Sequence, residues 1–146
     1  MKLTLPAMIL FATVCFASLG AVASANGLIF STQNEMTNER STPFTAEAFA
    51  AAQAAGQPIL VDISATWCPT CRRQGQVIAQ LLDSGEFADL VILELDWDSQ
   101  RRIAQSFGAM RQSTLIVFRG EDEVARAIAV TSEHDIQSLL SQAYAN

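Results

Sequence analysis

Residues 59–71 read ILVDISATWCPTC, and no other stretch constrains the fold as strongly. The first seven are dense in β-branched and aliphatic side chains and read as a buried strand. Directly beyond the second cysteine, RRQGQVIAQLLDSG puts Val77, Ile78, Leu81 and Leu82 on one helical face, with Gly85 just past its end. A buried strand that runs straight into an amphipathic helix is half of a βαβ unit. The rest of the chain continues the alternation. Upstream, Thr45 is placed to cap a helix over AEAFAAAQAA, with Glu47 in its first turn and Gly56 as its stop. Downstream, DLVILELDWD reads as a second strand, and SQRRIAQSFGA as a short helix with Ile103, Ala104 and Phe107 on one side. STLIVFRG is a third strand. EDE turns it into a fourth, VARAIAV, as a hairpin. TSEHDIQSLLSQAYAN closes the chain as a helix capped by Thr131 or Ser132, with Ile136, Leu139, Leu140 and Tyr144 turned inward. This order predicts an α/β fold, a central mixed β-sheet flanked by helices on both faces.

The N-terminal residues stand apart from that pattern. Lys2 is the only charged residue before Glu35, and residues 5–19, LPAMILFATVCFASL, are almost wholly apolar. Small residues then fall at Ala21, Ala23 and Ala25. A charged start, a short apolar stretch and a small-x-small site form a secretory signal peptide over residues 1–25, with cleavage expected after Ala23 or Ala25. The apolar stretch is short for a permanent membrane span. Cys15 lacks the leucine and small residue of a lipobox before it. Residues 26–44 are mixed and polar and read as an irregular lead-in, which leaves 45–146 as the folded domain.

The expected mature chain, from Asn26, carries eight basic against fifteen acidic residues and no lysine. That balance argues against nucleic acid or an anionic membrane surface as a partner. Export puts the protein in the periplasm or outside the cell, and leaves Cys68 and Cys71 as its cysteines. A structural staple is a weak reading of this pair, because a loop so short removes little chain entropy when closed.

The position of the pair suggests chemistry instead. Cys68 falls where a strand ends and a helix begins, where unpaired N–H groups and the helix dipole favour a thiolate. The thiolate is the nucleophile in exchange reactions. Cys71 lies one turn on, is expected to be the deeper of the two, and is placed to attack a mixed disulfide formed at Cys68. Pro69 suits the first turn of a helix, where its missing N–H is no loss, and Thr70 completes the intervening dipeptide. Asp62, inside an apolar strand, is expected to have a raised pKa from desolvation.

The stretch ILVDISATWCPTC resembles the active-site strand and turn of the thioredoxin family, in which Val-Asp-x-x-Ala-x-Trp-Cys-x-x-Cys is the pattern. The resemblance runs from about Thr45 to the C-terminus. It implies a thioredoxin-like fold and a thiol–disulfide oxidoreductase that needs no separate cofactor and acts on protein thiols or disulfides. It makes Cys68 the attacking and Cys71 the resolving cysteine, Asp62 a proton relay to the resolving cysteine, and Trp67 the tryptophan beside the active site.

Two residues depart from the family. Ser113 stands where the family carries a cis-proline facing the cysteines, and no proline follows Pro69. A cis bond before serine would cost about 3–4 kcal/mol, so a trans peptide and a differently shaped loop are expected. The Ser113 hydroxyl is then available to the Cys68 thiolate, and the loop leaves more room for a metal at the cysteines. Glu94 stands where many thioredoxins carry lysine. On VILELDWD it faces away from Leu93 and Leu95, and a second carboxylate near Asp62 would raise one of the two pKa values further. Thioredoxin-like domains of transmembrane thiol–disulfide interchange proteins also pair two acids, which points to a reductant fed by a membrane electron donor. Pro-Thr between the cysteines, with no histidine, points the same way. The alternative from another class is binding of Cu(I) or a shared cluster by the same two sulfurs. His134, the only histidine, reads as a surface residue. A redox-inert interaction domain sits poorly with Asp62 and Trp67.

Overall fold

The computed structural model describes residues 40–145. The expected signal peptide, and the lead-in as far as residue 39, lie outside the described residues. Among those described, no helix is long and apolar enough to cross a membrane.

Five strands form one sheet: β1 (Ser41–Pro43), β2 (Pro58–Ser64), β3 (Val91–Asp96), β4 (Thr114–Arg119) and β5 (Asp122–Ile128). Their order across the sheet is β1-β3-β2-β4-β5. β1 and β2 run parallel to β3, whereas β4 runs antiparallel to β2 and pairs with β5 as a hairpin. The sheet is therefore mixed, as the sequence predicts. The hairpin turn is tighter than expected, because β5 already begins at Asp122 inside the EDE segment.

The lead-in is the clearest difference. Ser41–Pro43 is a strand rather than irregular chain, with Thr42 opposite Leu93 and Phe44 N–H donating to the Glu94 carbonyl at 2.7 Å. Phe44 is buried against Phe49 and Phe107. A three-residue edge strand that ends in proline carries no period for a pattern reading to find.

Helices cover both faces. On one side α1 (Ala46–Ala54) and α3 (Arg101–Ser106) pack with Phe44, Phe49, Ala52, Ala104, Phe107 and Phe118 over Val61, Ile63, Leu93 and Leu95. On the other, α2 (Pro69–Asp83) and α4 (Glu133–Ser141) bring Val77, Ile78, Leu81, Leu82, Ile136, Leu139 and Leu140 onto Leu60, Ile92, Leu115 and Val117. The period-2 alternation of β2 and β3 sorts their side chains between these two cores. Thr45 Oγ1 accepts from Ala48 N–H at 3.0 Å, and Gly56 leaves α1 at φ +66°, a conformation glycine adopts without strain. Ser132 is the cap of α4, accepting from Asp135 N–H. Ile103 and Tyr144 do not face inward as expected. Ile103 lies on the exposed side of α3, and Tyr144 leans on Phe87 and donates its hydroxyl to Asp89, leaving Ala143 as the buried residue of that last turn.

Candidate active site

β2, the central strand, carries Asp62 within it and delivers Trp67 and the cysteines just past its C-terminal end. Cys68 is the N-cap of α2, in an extended conformation, and its Sγ accepts from Cys71 N–H at 3.2 Å. Pro69 opens the helix at a position where no N–H is needed. Both cysteines are free thiols. They are almost equally covered, with 3% of Cys68 and 6% of Cys71 exposed. Cys71 nevertheless lies deeper among protein atoms, as the sequence suggests, and hydrogen bonding separates the two thiols further. Burial works against ionising Cys68, but hydrogen bonds from Cys71, from Ser113 and from the backbone N–H groups of Cys71 and Thr70 outweigh it, and its pKa falls. Burial pushes the Cys71 thiol up, and its hydrogen bond to Cys68 adds to the rise despite the opposing contact with Ser113. One turn of helix thus holds a more acidic and a less acidic thiol.

Asp62 sits opposite Glu94 in the parallel register of β2 and β3. The residue keeps some surface, but its Oδ1 is wholly sheltered and takes no hydrogen bond. Burial pushes its pKa up to about 7, and the neighbouring Glu94 charge adds to the rise. Glu94 is half-buried and accepts from Ser64 Oγ at 3.0 Å. Trp67 is not core filler. It is 56% exposed beside Cys68, and its indole N–H donates to Asp98 Oδ2 at 2.7 Å.

Ser113 closes the site from the start of β4. Its Oγ lies 3.1 Å from Cys68 Sγ and 3.1 Å from Cys71 Sγ. Its φ is +62°, in the left-handed region that non-glycine residues seldom occupy. A conformation of this kind costs about 1–3 kcal/mol and persists where the surroundings over-determine it. Here the Ser113 N–H donates to the Ile63 carbonyl and its own carbonyl accepts from Ala129 N–H, both at 2.8 Å.

Sequence reasoning missed Gln74. It is fully buried one turn beyond Cys71, donates from Nε2 to the Ser113 carbonyl at 3.4 Å, and leaves Oε1 without a partner. The available signal was a glutamine on the inward stripe that Cys71, Ile78 and Leu81 define. His134 is exposed on the first turn of α4. Among the described residues, no group of three or more His, Cys, Asp or Glu side chains is placed to hold a metal ion, so the metal alternative has only the two sulfurs to rest on.

A three-layered α/β domain with an asymmetric dithiol at a helix N-terminus, beside a buried acid, defines a dithiol–disulfide redox protein. The thioredoxin family profile matches residues 40–142, and the chain belongs to that family. It is similar to a thioredoxin of Chlamydia muridarum, 34% identical over 84 residues that span 58% of this chain and 80% of the relative. It is also 29% identical over 98 residues to the bifunctional thioredoxin reductase/thioredoxin of Mycobacterium leprae, covering 67% of this chain and 21% of that protein. Among solved structures, Trxlp from Edwardsiella tarda EIB202 superposes with a TM-score of 0.66 at 38% identity, over 68% of this chain and 97% of that one. Thioredoxin from Malassezia sympodialis superposes with a TM-score of 0.62 at 21% identity, over 72% and 93% of the two chains, a likeness of fold. The chain is a thioredoxin-type thiol–disulfide oxidoreductase with Cys68 and Cys71 as its redox pair.

Proposed function

We propose that this chain works as an exported reductant of protein disulfides, supplied with electrons by a membrane donor. The observation that carries the chemistry is the acidity difference across one helical turn, with the lower pKa at Cys68 and the higher at Cys71. The Cys68 thiolate attacks one sulfur of a substrate disulfide. A bond forms between Cys68 and that sulfur, and the other substrate sulfur leaves as a thiolate. Cys71 then gives its proton to the Asp62 carboxylate and attacks Cys68 Sγ. The Cys68–Cys71 disulfide forms, and the second substrate thiolate leaves. Two electrons have passed to the substrate, and a dithiol donor must restore the pair. A carboxyl with a pKa of about 7 is suited to take that proton near neutrality.

Export rests on the charged start, the apolar stretch and the small-x-small site of residues 1–25. The reducing direction rests on the Pro-Thr dipeptide and on Glu94 beside Asp62. The direct test supplies a dithiol and follows reduction of a protein disulfide. Turnover is expected, and its loss in Cys68→Ser ties it to this site. Absence of turnover in the unaltered protein contradicts the reading. Export has its own check: the N-terminus of the protein isolated from its cells should be Ser24 or Asn26. A chain that still begins at Met1 contradicts cleavage.

A further inference from the structure

Ser113 is the side chain that touches both sulfurs, and its place is fixed on every side. The backbone bonds to Ile63 and Ala129 and the Gln74 amide hold it, 1% of it is exposed, and Oγ is equidistant from Cys68 Sγ and Cys71 Sγ. A hydroxyl carries one proton to donate and turns freely about its C–O bond. It can therefore serve either sulfur without movement of the chain, but only one at a time.

We propose that Ser113 is a catalytic residue of the exchange reaction, its hydroxyl donating first to the Cys68 thiolate and then to the Cys71 thiolate. The proposal deepens the exchange reading above and rests on it. When Cys68 ionises in the reduced protein, the charge forms on its sulfur and the Ser113 hydroxyl, 3.1 Å away, turns its proton there. When Cys68 attacks, its charge passes to the departing substrate thiolate, and Cys68 no longer needs a donor. The hydroxyl then turns to Cys71 as that thiol loses its proton to Asp62 and attacks Cys68 Sγ. One donor stabilises both nucleophiles in turn, and the step changes no electron count. A proline at 113 would have no donor, so the contribution belongs to the residue this chain carries there. The left-handed backbone at 113 sets the Oγ between the sulfurs.

The test uses dithiobis(nitrobenzoate), an aromatic disulfide that releases one coloured thiolate when Cys68 attacks and a second when Cys71 resolves. The full chain is used in a Cys15→Ser background, so that only the pair reacts. Two variants are compared, Ser113→Ala and Ser113→Gly. Both lack the hydroxyl, but glycine is at ease at positive φ and alanine is not. At a pH where the thiols are mostly protonated, both phases are expected to slow about threefold or more, equally in the two variants. Losing one hydrogen bond to a charged group cuts the thiolate fraction about tenfold, while the more basic thiolate regains part of the rate. Slowing of one phase only, rates that differ between the variants, or unchanged rates overturn the proposal. If the unaltered protein releases no second thiolate, the exchange reading itself falls and the proposal falls with it. If it releases both and the variants match it, only the role of Ser113 is lost.

Discussion

The site has two arms built in different ways. Residues 62–74 form one arm, a single uninterrupted run from β2 through the Cys68 cap into α2. Ser113 and its neighbours form the other, brought there by pairing of β4 with β2 and by a bond from Ala129 at the end of β5. The first arm has ordinary backbone geometry and makes the nucleophile by local means: a helix N-terminus, a proline at N1, an N–H aimed at a sulfur. The second holds a serine at φ +62° and works by closure from a distance. Reactivity is a property of the first arm, and its adjustment a property of the second.

That division sets the order of expected effects. The largest lies in the first arm: Cys68→Ser should abolish turnover of a protein disulfide, whereas either Ser113 variant should leave turnover reduced but measurable. Equal loss in all three would erase the distinction between the arms.

Asp62→Asn should act next most strongly, and on stability. The folded protein holds the Asp62 proton up to about pH 7, the unfolded chain only to about 3.8. Between these values the folded state binds more protons, so stability falls as pH rises through the window and stays low above it. Asparagine has no proton to lose. The variant should resist denaturant better at pH 8 by up to about 4 kcal/mol, with the gain fading towards pH 3. A gain that does not change with pH would mean that burial of the charge is not its origin.

Glu94→Gln removes the smaller of the two causes that raise Asp62. The Asp62 titration, followed by NMR of its carboxyl carbon, should move down from about 7 yet remain well above 3.8, because burial is the larger cause. An unmoved titration would show that Glu94 does not reach Asp62. Trp67→Phe should have the smallest effect. It keeps an aromatic ring beside Cys68 and gives up one exposed hydrogen bond to Asp98, which is worth about 1 kcal/mol or less in denaturant unfolding. A loss several times larger would mean that Trp67 anchors the turn.

The two arms also differ in how far the sequence reveals them. The strand, the cysteine pair, the capped helix and the acid inside the strand are all local patterns, and the amino-acid order states them directly. The side on which Glu94 lies follows from alternation along β3. The contact of Ser113 with both sulfurs does not, because it depends on the register of β4 on β2 and on a backbone angle that no composition rule assigns to serine. Gln74 is hidden for a related reason: an amide on a buried helical stripe reads as a break in the pattern until its partner, a carbonyl 39 residues away, is in place. The edge strand Ser41–Pro43 is legible only from its partner β3.

The most direct measurement is the reduction potential of the Cys68/Cys71 pair, obtained by equilibrating the protein with a dithiol buffer and counting alkylated thiols. A value near about −270 mV, as in thioredoxin, is expected of a reductant. A value near about −120 mV would mark a disulfide-forming oxidant and contradict the direction of electron flow proposed for this protein.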